Sequence, residues 1–131
     1  MSYLKQLCFL VIATLVIGCS DDDGLNVPPV TGEQVTYELN ERSDSGISGS
    51  VTIQELNDGT AKLNINLTGT PQDGMHPAHI HANSAAEGGE IIISLNDVNG
   101  STGTSQTIIV ADDDGNVVGY QDLLEIDGHV N

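Results

Sequence analysis

Short runs in which apolar and polar residues alternate follow one another along the chain from about Gln34 onward. In the first run the apolar residues are Val35, Tyr37 and Leu39, and a later run in residues 63–67 has the same spacing. A period of two places the apolar side chains on one face of a β-strand. The pattern predicts strands in residues 35–39, 47–56, 63–67, 78–82, 91–93, 107–110 and from 129 onward, with one helical turn in residues 120–126.

Turn-forming residues separate these runs. Asn57-Asp58-Gly59 predicts a hairpin with a type I′ turn, because Asp-Gly accommodates the positive φ angles that this turn requires. Further turns or loops are predicted at residues 69–74, 85–89, 96–105 and 112–116. Short strands at close spacing are typical of a single all-β, antiparallel sandwich domain. Because the sequence stops at Asn131 as a strand begins, we expect the sandwich to be truncated at its C-terminus.

An apolar run in residues 7–17 follows a short polar start that contains Lys5. A helix needs roughly 20 apolar residues to span a bilayer, so this run is too short and fits the core of an export signal. It ends in Leu-Val-Ile-Gly-Cys, and this order of aliphatic residue, small residue and cysteine resembles the bacterial lipobox. The pattern predicts a signal peptide in residues 1–18 and lipid attachment at Cys19. The alternative is an ordinary signal with a chance cysteine.

Residues 19–33 contain three consecutive aspartates and two adjacent prolines without hydrophobic periodicity, which predicts a flexible tether before a domain in residues 34–131. The acidic run at residues 21–23 resembles the surface-export tag of some Gram-negative lipoproteins; alternatively, it is a solvated spacer. Lipobox proteins carry two or three acyl chains, palmitate among them, and two chains suffice for stable anchoring. We therefore expect a lipoprotein of the bacterial cell envelope, anchored in the outer membrane and exposed on the surface if the tag functions.

Acidic residues far outnumber basic ones. The chain has 19 Asp and Glu against 3 Lys and Arg, which gives a formal net charge of −16. Such a charge repels phosphate backbones and excludes nucleic acid as a partner. It also repels anionic lipid, so that attachment to the membrane must be covalent. The two cysteines, Cys8 and Cys19, both lie within or directly after the export signal, and we therefore expect no disulfide in the domain.

Three of the four histidines lie in the motif HPAHIH at residues 76–81. Residues two apart on a strand point to the same face, so His79 and His81 can hold one metal ion together, and imidazole pairs suit Cu or Zn. His76 precedes a proline and is expected in the loop that enters the strand. A further ligand is needed, and the candidates are His129, Glu87, Glu90 or a residue beyond the end of the sequence. Alternatively, the histidines donate to backbone carbonyls and hold the loop in place.

Residues 74–89, GMHPAHIHANSAAEGG, resemble the CHRD domain, which is named for its occurrence in chordin. The mark of that family is a histidine-rich strand, HxxHIH, followed by a Gly-rich turn and an apolar strand, here residues 91–95. Residues 120–131 look like the approach to a later strand that commonly reads NVH in the family. The resemblance covers roughly residues 46–131 and implies an immunoglobulin-like antiparallel β-sandwich. It implies no defined reaction, and the expectation is a non-catalytic binding or structural role.

The HxxHxH spacing is also similar to the copper strand of Cu/Zn superoxide dismutases. By that resemblance His79 and His81 match copper ligands, and His76 matches a structural histidine. The remaining pattern is missing, because residues 82–96 contain no further histidine for zinc and the only arginine, Arg42, precedes the site. A chain this acidic repels superoxide when no arginine guides it. We therefore expect no dismutase activity.

Two hypotheses follow from these residues. The first is a non-catalytic CHRD-type sandwich that is displayed on the cell envelope for binding or for a structural purpose. The second is a copper- or zinc-binding protein that uses His79 and His81. A third ligand beside these two side chains would favour the second hypothesis.

Overall fold

The computed structural model describes residues 26–131, and the predicted signal and Cys19 lie outside this part. The elements are β1 (Val30–Leu39), β2 (Ser48–Leu56), β3 (Ala61–Thr68), β4 (Met75–Ala82), β5 (Ile91–Asn99), β6 (Thr104–Ile109), α1 (Tyr120–Glu125) and β7 (Gly128–Val130). The paired strands are antiparallel. The all-β, antiparallel fold predicted from the alternation is therefore confirmed. No helix within residues 26–131 is long and apolar enough to cross a membrane.

The strands form one curled sheet in the order β1-β2-β3-β6-β5-β4-β7. Its two halves are weakly joined, since the register between β5 and β6 consists of the pair Asn99 and Thr104. Beyond that pair, side chains replace the backbone ladder. The Asn96 backbone N–H donates to Thr107 Oγ1 at 2.9 Å, and the Asn96 side-chain amide donates to the Gln106 carbonyl at 2.7 Å. The sheet therefore opens between β5 and β6, and its two halves face each other as the layers of a sandwich do.

Both halves contribute inward side chains to a single core. In one half, the register of β2 and β3 sets Ile53 opposite Leu63, and in the other half β4 and β5 set Ile80 opposite Ile93. In β2, β3 and β4, the apolar residues of the alternation thus lie on the buried face of the strand. The buried members of the core are Val51, Ile53, Ala61, Leu63, Ile65, Ala78, Ile80, Ile93, Leu95, Val98, Ile109, Val118, Tyr120 and Leu123.

The first strand begins earlier than predicted. Residues 30–33, which were expected in the tether, belong to β1, where Val30 pairs with Leu56. The Thr31 hydroxyl donates to the Glu55 carboxylate at 2.9 Å. A register shift follows Val30, and Gly32 has a φ of +103°. This irregularity breaks the period of two, so the alternation does not reveal the first residues of the strand.

The predicted hairpin between β2 and β3 is present, but the prediction of a type I′ turn is wrong. A type I′ turn requires positive φ at both central residues, whereas in residues 57–59 Gly59 alone has a positive φ, of +83°. The Gly59 N–H donates to the Leu56 carbonyl at 2.9 Å, and the Leu56 N–H donates to the Thr60 carbonyl at 2.9 Å. The connection is therefore a three-residue loop whose glycine takes the left-handed conformation.

The predicted loop in residues 96–105 is also wrong, because β5 continues to Asn99 and β6 begins at Thr104. Apart from the buried Val98, these strand ends are polar, so they lack the apolar alternation that marks a strand. Ile91, expected in a buried strand, is 42 % exposed. The helical turn predicted in residues 120–126 is confirmed as α1, and the Asp122 carboxylate accepts the Gly119 N–H at 2.8 Å at its start.

Candidate functional site

The pleat of strand β4 places His79 and His81 on the face of the sheet that points away from the core. Ala78 and Ile80 point inward and are buried, whereas His79 and His81 are partly exposed. Successive side chains of a strand point to opposite faces, so His79 and His81 share the outer face of the sheet. The spacing in the sequence predicts this arrangement.

Strand β7 brings a third imidazole to the same face, since its register sets His129 opposite His81. The rings of His81 and His129 stack with their centroids 5.3 Å apart and 22° between their planes. The rings of His79 and His81 meet edge to face with centroids 5.8 Å apart. We call His79, His81 and His129 the histidine face. Among the further ligands suggested by the sequence, His129 lies beside the pair.

Two rings of the histidine face are held by backbone carbonyls. His81 Nδ1 donates to the Gly89 carbonyl at 2.9 Å, and His129 Nδ1 donates to the Asn83 carbonyl at 2.9 Å. Since a carbonyl can only accept, Nδ1 carries the proton in both rings, and in the neutral imidazole Nε2 keeps its lone pair. The two bonds attach β4 and β7 to the turn between β4 and β5. This is the structural role considered from the sequence, and it leaves one nitrogen of each ring available.

Asp113 also lies near the histidine face, although no motif in the sequence marks it as a candidate. Its carboxylate accepts the Ser94 backbone N–H at 2.8 Å and the Ser94 hydroxyl at 2.7 Å. These hydrogen bonds lower the pKa of Asp113, and the positive charge of His79 lowers it further. The predicted turn in residues 112–116 contains Asp113, but its contact with β5 depends on the tertiary fold.

The other candidate ligands lie elsewhere. His76 belongs to β4 rather than to the preceding loop, because the extended β5 offers Val98 as its partner, and His76 Nε2 donates to the Pro71 carbonyl at 3.2 Å. The Glu87 carboxylate accepts the Ser84 hydroxyl at 2.7 Å, which lowers the pKa of Glu87. The Glu90 side chain is exposed. In residues 26–131, no three His, Cys, Asp or Glu side chains converge closely enough to hold one metal ion.

A cleft on the inner side of the curled sheet was not predicted. It has a volume of about 400 Å³, and both end strands of the sheet, β1 and β7, line it. Its walls are mainly apolar and include Tyr37, Leu39, Val51, Ile53, Leu63, Ile80, Leu123, Leu124, Ile126 and Val130. Glu38 and Arg42 also line it, and the Arg42 guanidinium donates to the Ala85 carbonyl at 3.0 Å. The cleft could not be found from the sequence because it depends on which strands end the sheet.

Comparison of the chain with family models, with curated proteins and with solved structures gave no match. The function therefore has to be inferred from the residues of the chain. The histidine face and the apolar cleft are the two features that bear on it.

Proposed function

We propose that this chain is a lipid-anchored, CHRD-type domain of the bacterial cell envelope with a non-catalytic binding role. The lipobox that ends at Cys19 supports anchoring in the outer membrane, and the acidic run at residues 21–23 supports display on the cell surface. The HPAHIH motif supports the CHRD assignment. The binding role is carried by one observation, the apolar cleft between β1 and β7.

Within residues 26–131, the cleft presents apolar side chains that the other residues leave partly in contact with water. Tyr37 is 47 % exposed, although its register partner on β2 is the buried Val51. Opposite β1, Leu124 and Val130 are partly buried and pack against the core. Burial of apolar surface contributes roughly 25 cal/mol per Å², so a ligand gains free energy by covering these side chains. Binding sites commonly have such apolar walls and a few polar groups that orient the ligand.

A neutral apolar dye such as Nile red is expected to bind the chain from Ser20 onward, and Leu124→Ser is expected to weaken this binding about tenfold. Leu124 lines the cleft, and a buried leucine contributes about 1.5–3 kcal/mol, of which about 1.4 kcal/mol corresponds to tenfold in affinity. Fluorescence titration measures the dissociation constant, and circular dichroism checks the fold. The matched control is Val117→Ser, because Val117 is 86 % exposed and is not among the cleft residues. Equal affinity of both variants would count against the cleft.

A second candidate function is the binding of Cu or Zn at the histidine face. The observation that favours it is the fixed proton on Nδ1 of His81 and of His129, which leaves Nε2 as the nitrogen with a lone pair. Histidines that bind metals commonly donate their other N–H to a carbonyl in this way. Because no three ligands converge as the side chains stand, binding requires rotation of the His79 side chain towards His81 and His129, whose rings keep their hydrogen bonds.

If this second function holds, one Cu²⁺ or Zn²⁺ ion binds each chain, and His81→Ala or His129→Ala weakens binding at least about tenfold. Even the loss of a group that only orients a ligand costs about 10–100-fold in metal affinity. Isothermal titration calorimetry measures the effect. His76→Ala is the matched control, because His76 is bonded to Pro71 and lies outside the histidine face. An equal loss in the control, or no binding to the folded protein, would leave the histidines with a structural role alone.

A further inference from the structure

We propose that Asn99 is a site of N-linked glycosylation, and that the sugar donor is an oligosaccharide joined to a membrane lipid through a diphosphate. Asn99-Gly100-Ser101 is an Asn-x-Ser sequence, the acceptor pattern for attachment of a glycan to an asparagine amide. The inference goes beyond the proposed binding role but rests on the export that the proposed function includes. Three observations support it: the exposure of the sequence, the turn that holds the amide, and the contrast with a second acceptor sequence.

The acceptor sequence lies in the hairpin turn between β5 and β6. Asn99 is the last residue of β5, and residues 100–103 connect it to Thr104, the first residue of β6. Asn99 and Ser101 are both exposed. A glycan is bulky and must remain in solvent, so its attachment site has to lie on the surface. A transferase can therefore reach both residues while the sheet stays folded.

The turn fixes the direction of the Asn99 amide. Its Oδ1 accepts the Ser101 N–H at 2.9 Å and the Thr102 N–H at 3.3 Å, which is the arrangement of an Asx turn. Because two backbone donors face Oδ1, Nδ2 points away from them, and it donates no hydrogen bond within residues 26–131. The Ser101 hydroxyl also has no partner in this part of the chain. The turn thus presents the amide nitrogen and the hydroxyl that an acceptor sequence supplies.

The same hydrogen bonds favour reaction of the amide nitrogen. This nitrogen is a weak nucleophile because its lone pair is delocalised into the carbonyl group. Donors at Oδ1 polarise the amide and make the Nδ2 protons more acidic, so that a base of the transferase removes one more easily. Nδ2 then forms a bond to the anomeric carbon of the sugar, and the bond from that carbon to the diphosphate oxygen breaks. The lipid diphosphate leaves with the electron pair.

A second acceptor sequence, Asn66-Leu67-Thr68, lacks this geometry, although Asn66 is exposed as well. It lies within β3, which pairs with β2 on one side and with β6 on the other. The Thr68 hydroxyl donates to the Ser48 carbonyl at 3.2 Å, so it is already engaged. We therefore expect Asn66 to remain unmodified, and it serves as a control within the same chain.

An acidic residue also distinguishes the two sequences. Asp97 is exposed and lies two positions before Asn99 on the same face of β5, whereas Asn64 holds this position before Asn66. A transferase that holds its acceptor through a cation would pair with the Asp97 carboxylate. Hydrogen bonds between charged groups are roughly twice as strong as those between neutral groups. The charge thus adds to the turn in favour of Asn99.

The test uses the full protein isolated from the envelope of the bacterium that produces it. Peptide mapping by mass spectrometry measures the fraction of each asparagine that carries sugar. We expect sugar on Asn99 and none on Asn66. Asn99→Gln and Ser101→Ala should each abolish the modification, whereas Ser101→Thr should keep it because threonine supplies the same hydroxyl. Asn66→Gln is the matched control and should change nothing, and circular dichroism checks the fold of each variant.

Two further variants separate the charge from the turn. Asp97→Asn should lower the occupancy of Asn99 several-fold. Asn64→Asp gives Asn66 the same acidic residue, and Asn66 should still carry no sugar because its strand does not form the Asx turn. Sugar on Asn66 in this variant would overturn the role of the turn.

An unmodified Asn99 in the native protein, or equal occupancy of Asn99 and Asn66, would overturn the inference. If the isolated protein is lipidated at Cys19 but Asn99 carries no sugar, the inference fails while the proposed anchoring stands. If Asn99 carries sugar but Cys19 carries no lipid, the anchoring fails while the inference stands. If neither modification is found, both fail.

Discussion

Replacement of Cys19 by serine is expected to abolish lipid attachment completely. A serine cannot form the thioether through which a lipobox cysteine receives its diacylglycerol. Cells grown with an alkyne analogue of palmitate should therefore label the native protein and leave Cys19→Ser unlabelled. The same variant should be missing from the outer-membrane fraction, since sorting to that membrane follows lipid attachment.

The chain supplies its own control for this experiment. Cys8 lies within the apolar run of the signal, so Cys8→Ser removes a thiol of the same chain before the processing site. We expect this variant to be labelled and anchored like the native protein. Labelling of Cys19→Ser, or loss of labelling in Cys8→Ser, would show that the lipid is attached elsewhere and that the signal has been misassigned.

The effect should be large because the charge of the chain does not favour attachment to a membrane without the lipid. Its net charge of −16 repels anionic lipid, so electrostatic attraction cannot retain a protein that lacks its acyl chains. Two acyl chains give stable anchoring, whereas one gives marginal and reversible binding. In the proposed lipoprotein, the acyl chains would hold the domain near the membrane, while its acidic surface would be repelled by anionic lipid.

The fold was predictable where the information is local. Leu63 and Ile65 alternate with polar residues because one face of β3 is buried in the core and the other is more exposed. The pattern failed where that condition is absent. Gly32 and the register shift interrupt the alternation in β1, and the ends of β5 and β6 around the pair Asn99 and Thr104 are mainly polar. No single-sequence pattern states that β1 and β7 end the sheet, because strand order depends on contacts between distant segments.

The same distinction applies to the candidate site. The common face of His79 and His81 follows from their spacing on one strand. The place of His129 depends on the register of β7 against β4, and the contact of Asp113 with Ser94 depends on the packing of a distant turn. The cleft requires still more of the tertiary structure, since residues from β1, α1 and β7 line it together. The sequence therefore pointed to the chemistry of the histidines but not to the apolar surface that supports a binding role.

The stability of the domain should depend strongly on core residues that do not line this cleft. Ile109 on β6 is 2 % exposed and belongs to the core, but it is not among the cleft residues. We expect Ile109→Ala to lower the free energy of unfolding by about 2–5 kcal/mol and Ile109→Val by about 0.5–1.5 kcal/mol. The loss is larger for Ile109→Ala for two reasons. Fewer apolar atoms leave water when this variant folds, and a cavity remains where the longer side chain was.

Urea denaturation of the chain from Ser20 onward measures these changes as shifts of the midpoint at a constant slope. Val117→Ala is the matched control, because Val117 is 86 % exposed and its truncation should change the free energy of unfolding by less than about 0.5 kcal/mol. Domains of this kind are stable by only about 5–15 kcal/mol, so the loss at Ile109 is a large fraction of the total. Similar losses at Ile109 and Val117 would mean that β6 does not pack into the core. A graded loss at Ile109 alone would instead support the sandwich that holds the cleft and the histidine face in place.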